Sequence, residues 1–293
     1  MPYYKQTGRK IYYETFGNSQ NPCLVLISGL GAQLIHWPEE ITQGLGKKGY
    51  YIVTFDNRDV GLSSYYDHLK PLPLSQAVEI KKQQQNYCPP YTLREMADDI
   101  ILLLDALRID QAHIAGISMG GMIAQMMALE YPGRLSSLTC IATTSSDPNL
   151  PLSKPEVLRH FFSPPKNADL ESYVSHSLEL YRVFQDPEYR NEDEARMIYT
   201  KAYQRAYHPE GAHRQFLAIM FSEPRHEKLK SVSLTSLIIH GDDDPAFSLE
   251  HAEQLQQCLN GRLEIIKKLG HGLPQKLRST LVELISDHCR LSC

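Results

Sequence analysis

The sequence predicts an α/β fold: a mostly parallel sheet with helices on both faces and an all-helical segment inserted late in the chain. Three observations carry that expectation. Short continuous apolar runs, beginning with Leu24-Val25-Leu26-Ile27-Ser28, look like strands buried on both faces. They alternate with stretches of helical period, and parallel strands need such crossovers. The alternation stops between Ser145 and Val232, where no strand-like run occurs, and resumes at Leu237.

In chain order, Tyr3-Tyr4 and Ile11-Tyr12-Tyr13 flank Thr7-Gly8-Arg9, aromatic and β-branched residues about a turn, which predicts an N-terminal hairpin. The run Leu24–Ser28 then leads into Gly29-Leu30-Gly31. A helix is expected from Trp37 to Lys48, closed by Gly49, and a buried strand from Tyr51 to Phe55, ending at Asp56-Asn57-Arg58-Asp59. From Ser63 to Pro90 the chain is polar and carries four prolines, a long surface excursion with room for a short helix. Thr92-Leu93-Arg94-Glu95 is a capping box, and Leu93, Met96, Ala97, Ile100, Leu104 and Leu107 follow at helical spacing, so a helix runs to Arg108. His113–Ile117 is the next strand and Met119–Glu130 the next helix, stopped by Tyr131-Pro132-Gly133. After the strand Leu138–Ala142 come only prolines and helical stripes, such as Leu170, Tyr173, Val174, Ser177, Leu178 and Tyr181. The strand Leu237–His240, a helix Leu249–Leu259 capped by Ser248, the strand Leu263–Lys267 and a final helix from Pro274 complete the chain. The hairpin and six buried strands make an eight-stranded sheet. Residues 1–144 and 233–293 form its core domain, and 145–232 the helical insertion.

Composition narrows the function. Thirty Lys and Arg against 34 Asp and Glu leave a net charge of −4, which gives nucleic acid or an anionic membrane no electrostatic hold. The expected ligand is small. No apolar run reaches transmembrane length, and Met1–Lys10 has no apolar core that could serve as a signal peptide, so a soluble cytoplasmic protein is expected. The six cysteines lack Cys-x-x-Cys spacing, which disfavours zinc; Cys23 and Cys140 read as free thiols in or beside buried strands. A disulfide at Cys289 has no support in the sequence.

The chemistry centres on Ala115-Gly116-Ile117-Ser118-Met119-Gly120-Gly121. Gly-x-Ser-x-Gly describes a sharp strand-to-helix turn that raises a hydroxyl above a sheet, with glycines where a side chain would strike neighbouring backbone. The pattern alone fits an ordinary glycine-rich turn equally well. Its place between a strand and a helix favours a nucleophile, and a serine nucleophile needs a base and an orienting carboxylate. His271, in Leu269-Gly270-His271-Gly272, follows the last strand, and Asp244, in Gly241-Asp242-Asp243-Asp244-Pro245, follows the strand before it. Ligands of such sheets bind at the carboxyl ends of the strands, where all three residues fall. Asp242 and Asp243 read as solvated loop charges, either of which would serve as an alternative acid. His240 and His113 read as structural. Trp37, His36 and His213 are candidates for the substrate pocket, with Phe161, Phe162, Tyr181 and Phe216 as core residues that can also face it. Asp56, Arg58 and Asp59 are expected to form buried ion pairs beside the serine.

With the motifs ordered Ser, Asp, His at strand ends, the chain resembles the α/β-hydrolase family over almost its whole length. Gly29-Leu30-Gly31-Ala32-Gln33, Phe55-Asp56-Asn57-Arg58-Asp59-Val60-Gly61-Leu62-Ser63, Pro90-Tyr91-Thr92-Leu93 and Gly211-Ala212-His213-Arg214-Gln215 are similar to the branch of aclacinomycin methylesterase-like enzymes. The resemblance implies that residues 145–232 are a cap over the active site. It implies a cofactor-free, metal-free serine hydrolase acting on a small or medium carboxylic ester, with Ser118, His271 and Asp244 as triad and the backbone N–H groups of Leu30 and Met119 as oxyanion hole. Ser28 departs from the family pattern, which often has a histidine before the glycine. Enol-lactone opening, C–C cleavage and proline iminopeptidase-like removal of an N-terminal residue share the same triad. For the last, Glu171, Glu179, Glu192 and Glu194 are the acids available to hold an ammonium group. A non-catalytic receptor is the alternative of another class, and a homodimer is left open.

Overall fold

Residues 3–6 and 9–291 are described by the computed structural model. The strands are β1 (Tyr3–Gln6), β2 (Arg9–Phe16), β3 (Cys23–Ile27), β4 (Tyr51–Phe55), β5 (Ala112–Ile117), β6 (Leu135–Ile141), β7 (Ser236–Gly241) and β8 (Arg262–Ile266). They form one eight-stranded sheet in the order β1-β2-β4-β3-β5-β6-β7-β8. β1 pairs antiparallel with β2, and β2 with β4; every other neighbouring pair is parallel. Strands flank the expected N-terminal turn, but Thr7 and Gly8 lie outside the described residues.

Strand β3 shows why its apolar run is unbroken. Cys23, Val25 and Ile27 enter one core, packed by helices Leu93–Leu107, Met119–Glu130 and Leu249–Leu259, while Leu24 and Leu26 enter a second core beneath helices Glu39–Lys47 and Arg278–Arg290. Alternate side chains thus leave water on opposite faces, each large one contributing about 1.5–3 kcal/mol. The capping box forms as expected: Glu95 N–H donates to Thr92 Oγ1 at 3.2 Å, and Thr92 N–H to Glu95 Oε2 at 2.9 Å. Cys23, Cys88, Cys140 and Cys258 are reduced thiols, and burial pushes those of Cys23 and Cys140 up to about 12.

Several expectations are corrected. β8 is not buried: it is the sheet's edge, with no strand beyond it, and Ile265 is 48% exposed. Trp37 does not start a helix. It follows a 3-10 turn, Leu34–His36, and precedes Pro38, which restricts it to extended geometry, so the helix begins at Glu39. The final helix likewise starts after a 3-10 turn at Gln275–Leu277. Ser248 occupies the N-cap position of the helix Leu249–Leu259 without a side-chain cap bond. The polar excursion contains the helix Leu74–Lys82.

Between β6 and β7 the regular elements of the described residues are all helical: Pro155–Phe162, Leu170–Phe184, a 3-10 turn at Pro187–Tyr189, Glu192–Arg205, Pro209–Met220 and the short His226–Leu229. This segment has a small core of its own, Val174, Leu178 and Ala195. Polar ties join it to the sheet domain. Arg214 donates to both oxygens of Asp59 at 2.8 and 2.9 Å, with both side chains fully buried, and Arg205 pairs with buried Asp56 at 2.8 Å. Arg58 pairs at 2.6 Å with Asp99 and lies over the rings of Tyr66 and Tyr91. The expected ion pairs of Asp56, Arg58 and Asp59 are therefore present, and none of the three residues lines the large cavity described below. No described helix is long and apolar enough to cross a membrane.

Removing one partner of a buried pair leaves an uncompensated charge. Asp59→Ala, which takes away the buried partner of Arg214 and leaves it only the exposed carboxylates of Asp67 at 2.9 Å and Glu210 at 3.7 Å, is expected to lower unfolding free energy by about 2–4 kcal/mol, read from urea denaturation.

Candidate active site

Ser118 joins β5 to the helix Met119–Glu130 with φ 56° and ψ −121°. A side chain rarely adopts such a backbone, and here two bonds hold it: Ser118 N–H donates to Ile141 O at 2.9 Å, and Thr143 Oγ1 donates to Ser118 O at 2.7 Å. The flanking glycines are required by contact. A Cβ on Gly116 would lie 2.1 Å from Gly120 O, and one on Gly120 would lie 2.2 Å from Ile27 O of β3. The turn can form only where strand, helix and neighbouring strand meet without side chains.

β3 lies beside β5 and delivers Gly29 and Leu30 to the serine; a Cβ on Gly29 would come within 3.4 Å of Ser118 Cβ. Among the described hydrogen bonds, neither Leu30 N–H nor Met119 N–H has an acceptor. Met119 opens its helix, where unpaired N–H groups and the helix dipole favour negative charge. Ser28, in the place of the family's frequent histidine, has a buried hydroxyl without a partner, so it does not brace this loop.

Asp244 and His271 are brought together by the ends of β7 and β8. His271 Nδ1 lies 2.8 Å from Asp244 Oδ2, while Asp244 Oδ1 accepts from the N–H groups of Ala246 at 2.8 Å and Phe247 at 3.0 Å. Burial opposes the ionised carboxyl, but the charge and hydrogen bond of His271, with help from His240 and the Phe247 N–H, outweigh it and hold the pKa below its ordinary value. The neighbouring acids are excluded by position: Asp242 accepts from Lys268 N–H, and Asp243, exposed, pairs with Lys154. The imidazole is gripped by the helical segment. His271 N–H donates to Phe184 O at 2.8 Å, its ring packs on Phe184 and Phe247, and a Cβ on Gly270 would strike Phe184 O at 1.8 Å. His240 and His113 are structural, His240 Nε2 facing Phe247 O and His113 Nδ1 facing Ser137 Oγ, each at 2.8 Å.

Ser118 and His271 line one cavity of about 1090 Å³, together with Leu30, Trp37, Phe161 and Phe216. His36 also lines it; burial lowers the pKa of His36, which favours a neutral ring. His213, expected in the pocket, does not line it. Its helix, Pro209–Met220, points Phe216 and Ile219 at the cavity and Arg214 at Asp59, while His213 lies near the Leu72 backbone of the polar excursion. Sequence reasoning missed the clamp of Phe184 on the histidine loop and the amide ties of Gln33 to Ala202 O and Ala206 O and of Gln215 to Gly31 N–H and Arg58 O. Neither clamp nor ties carry a periodic signal, although Gln33 and Gln215 stand inside the quoted motifs. Among the described residues, the one cluster with metal-ligand geometry is Asp59, Asp67 and His208, and the Arg214 guanidinium already supplies its positive charge.

A family model described as alpha/beta hydrolase fold matches residues 22–274, and the chain belongs to that family. A rhodomycin D methylesterase of Streptomyces sp. (strain C5) is 26% identical over 305 residues, covering 96% of this chain and 95% of that protein. A 3-oxoadipate enol-lactonase of Acinetobacter baylyi is 24% identical over 267 residues, covering 88% and 85%. The crystal structure of an enol-lactonase from Burkholderia xenovorans superposes with a TM-score of 0.76 at 19% identity, covering 99% of this chain and 100% of that one. The fold and the resemblance to the methylesterase branch are thereby both borne out.

The depressed pKa of Asp244 has a defined consequence for stability. Its contribution is full above the unfolded carboxyl's pKa, about 3.9, and is lost as pH falls through the lower folded value. Urea unfolding from about pH 6 to about pH 3 is expected to show the wild type losing its advantage over Asp244→Asn across that window. A stability gap independent of pH would contradict the assignment.

Proposed function

We propose that this α/β-hydrolase is a serine esterase that cleaves a small or medium carboxylic ester without a cofactor. The observation that carries the reading is the Asp244–His271 pair at 2.8 Å, of which His271 lines the same cavity as Ser118. His271 Nε2 takes the Ser118 proton as Oγ attacks the ester carbonyl, and Asp244 holds the tautomer and the imidazolium. The tetrahedral oxyanion forms against the N–H groups of Leu30 and Met119. His271 then protonates the departing alcohol. Water, deprotonated by His271, attacks the acyl-enzyme and releases the acid.

The methylesterase relative, aligned over nearly the whole chain, supports an ester as the bond. The four acids expected to hold an ammonium group give an N-terminal amide no support. Of Glu171, Glu179, Glu192 and Glu194 only Glu194 lines the cavity, and it already pairs with Arg278 at 2.7 Å. No carboxylate among the four is left to receive an ammonium group. An enol-lactone is also an ester, and the enol-lactonase relative makes it the second substrate to assay.

On aryl and methyl esters, Ser118→Ala is expected to lower kcat by about a million-fold and Asp244→Asn by about ten-thousand-fold. Asp242→Asn and Asp243→Asn are expected to stay within about threefold of wild type, because neither side chain reaches His271. Undiminished hydrolysis by Ser118→Ala would sink the reading. A fluorophosphonate that leaves Ser118 unlabelled in the native protein would favour a non-catalytic receptor.

A further inference from the structure

The motif Gly211-Ala212-His213-Arg214-Gln215 takes no part in the mechanism above, yet it touches the loop that supplies one oxyanion donor. The loop Gly29–Gln33 leaves β3 with Gly31 in the left-handed region, φ 68°, and makes one turn bond of its own, Ala32 N–H to Gly29 O at 3.2 Å. Its other bonds come from outside. Gly31 N–H donates to Gln215 Oε1 at 2.8 Å, and Gln215 Nε2 donates to Arg58 O at 2.8 Å. Gln215 is fully buried. One turn earlier on the same helix, Ala212 Cβ would stand 3.4 Å from a Cβ on Gly31, so the helix also sets the loop's clearance. Further on, Gln33 Nε2 donates to Ala202 O and Ala206 O at 2.8 and 2.9 Å, and Gln33 Oε1 accepts from Arg205 at 2.7 Å.

The helix that carries Gln215 is itself fixed. Arg214 is locked to Asp59, and a Cβ on Gly211 would lie 2.0 Å from Asp59 O. Ser28 gives the loop no side-chain support. We propose that Gln215 is the positioning residue of the oxyanion hole: its amide bridges Arg58 O and Gly31 N–H, fixes the peptide that follows Leu30, and so holds Leu30 N–H aimed at the carbonyl oxygen beside Ser118. Phe216, the next residue, lines the cavity, so the helix that holds the loop also meets the substrate. The proposal rests on the esterase reading, with Leu30 and Met119 as donors.

A residue that aims a donor at the developing oxyanion acts on the transition state, whereas one that merely fastens the helical segment acts on stability and substrate binding. The full chain is assayed on a p-nitrophenyl ester as wild type, Ser118→Ala, Gln215→Met and Gln215→Glu. Gln215→Met, which removes both bonds, is expected to lose about 100-fold in kcat with KM within about twofold. Gln215→Glu keeps an oxygen for Gly31 N–H and is expected to stay within about tenfold of wild-type kcat. A trifluoromethyl ketone, whose adduct with serine places an oxyanion in the hole, is expected to lose affinity in step with kcat/KM, while binding of the carboxylate product is unchanged. A raised KM at unchanged kcat, equal losses in the two Gln215 variants, or ketone affinity unchanged beside a lowered kcat would each overturn the proposal. If Gln215→Met does not fold, the ketone comparison on Gln215→Glu decides; failure of both variants to fold assigns Gln215 to the fold and overturns it. An active Ser118→Ala would sink the esterase reading itself, whereas an inactive Ser118→Ala beside an unaffected Gln215→Met would sink this proposal alone.

Discussion

The backbone at Ser118 is the constraint on which the site depends. A serine at φ 56° and ψ −121° stores about 1–3 kcal/mol, and it persists only where the surroundings leave no alternative. Those surroundings are strands. β5 lies between β3 and β6, so the serine's N–H meets Ile141 O on one side, while Gly120 presses on Ile27 O on the other. The same adjacency explains the rest of the site. β3 ends beside the serine and supplies Leu30; β7 and β8, further along the sheet, supply Asp244 and His271. Parallel strands end on one edge, and that edge gathers groups that are far apart in sequence.

Charge inside the protein follows two patterns with different energetics. Asp244 stays ionised while buried because two N–H groups and one imidazole satisfy it. Arg214 and Arg58 each have a carboxylate partner, Asp59 and Asp99. Such pairs gain little net stability, since desolvation offsets most of the Coulomb energy, but they tolerate only one register between the parts they join. Among the described residues Arg225 has no carboxylate partner. It donates instead to Gln125, Thr144, Ser146 and Ser222, and burial lowers its pKa to about 10. Spread over neutral acceptors, its charge fastens the loop after β6 to the chain that re-enters the sheet domain.

Much of this was legible in the sequence where a physical rule ties residue type to geometry. Unbroken apolar runs marked β3 and β5 because both sheet faces are covered, and Thr92 with Glu95 marked a helix start because free N–H groups need acceptors there. Asp244 was the first choice but not separable from Asp242 and Asp243 by sequence, because three adjacent acids share one loop; contact separates them, since Asp244 meets His271 while Asp242 accepts from Lys268 N–H and Asp243 pairs with Lys154. β8 failed for the converse reason: Leu263, Ile265 and Ile266 read as buried, but which strand ends a sheet is a property of topology and not of its own residues. His213 failed because helix period fixes neighbours on a face without saying which face meets the cavity. The ties of Gln33, Gln215 and Arg225 were invisible as ties, since a single amide or guanidinium reaches partners far along the chain, 184 residues for Gln215 to Gly31, 169 for Gln33 to Ala202 and 100 for Arg225 to Gln125, without any local pattern.

The helical segment shows why such ties matter. Its own core, centred on Val174, Leu178 and Ala195, is small, and Ala218 and Leu229 reach from the segment into the core of the sheet domain. Hydrogen bonds and ion pairs among residues that do not line the cavity, Arg214 to Asp59, Arg205 to Asp56 and Gln33 to the end of the helix Glu192–Arg205, add directional ties to that packing while the cavity of about 1090 Å³ stays open. Directional bonds also transmit position in a way that apolar contacts do not, because a displaced amide loses its partner where a displaced methyl group finds another. The segment that shapes the cavity through Phe161 and Phe216 is therefore also bonded to the loop of Leu30 and, through Phe184, to the loop of His271. A change in the walls cannot leave the chemistry untouched, because walls and reactive loops hang from the same helices.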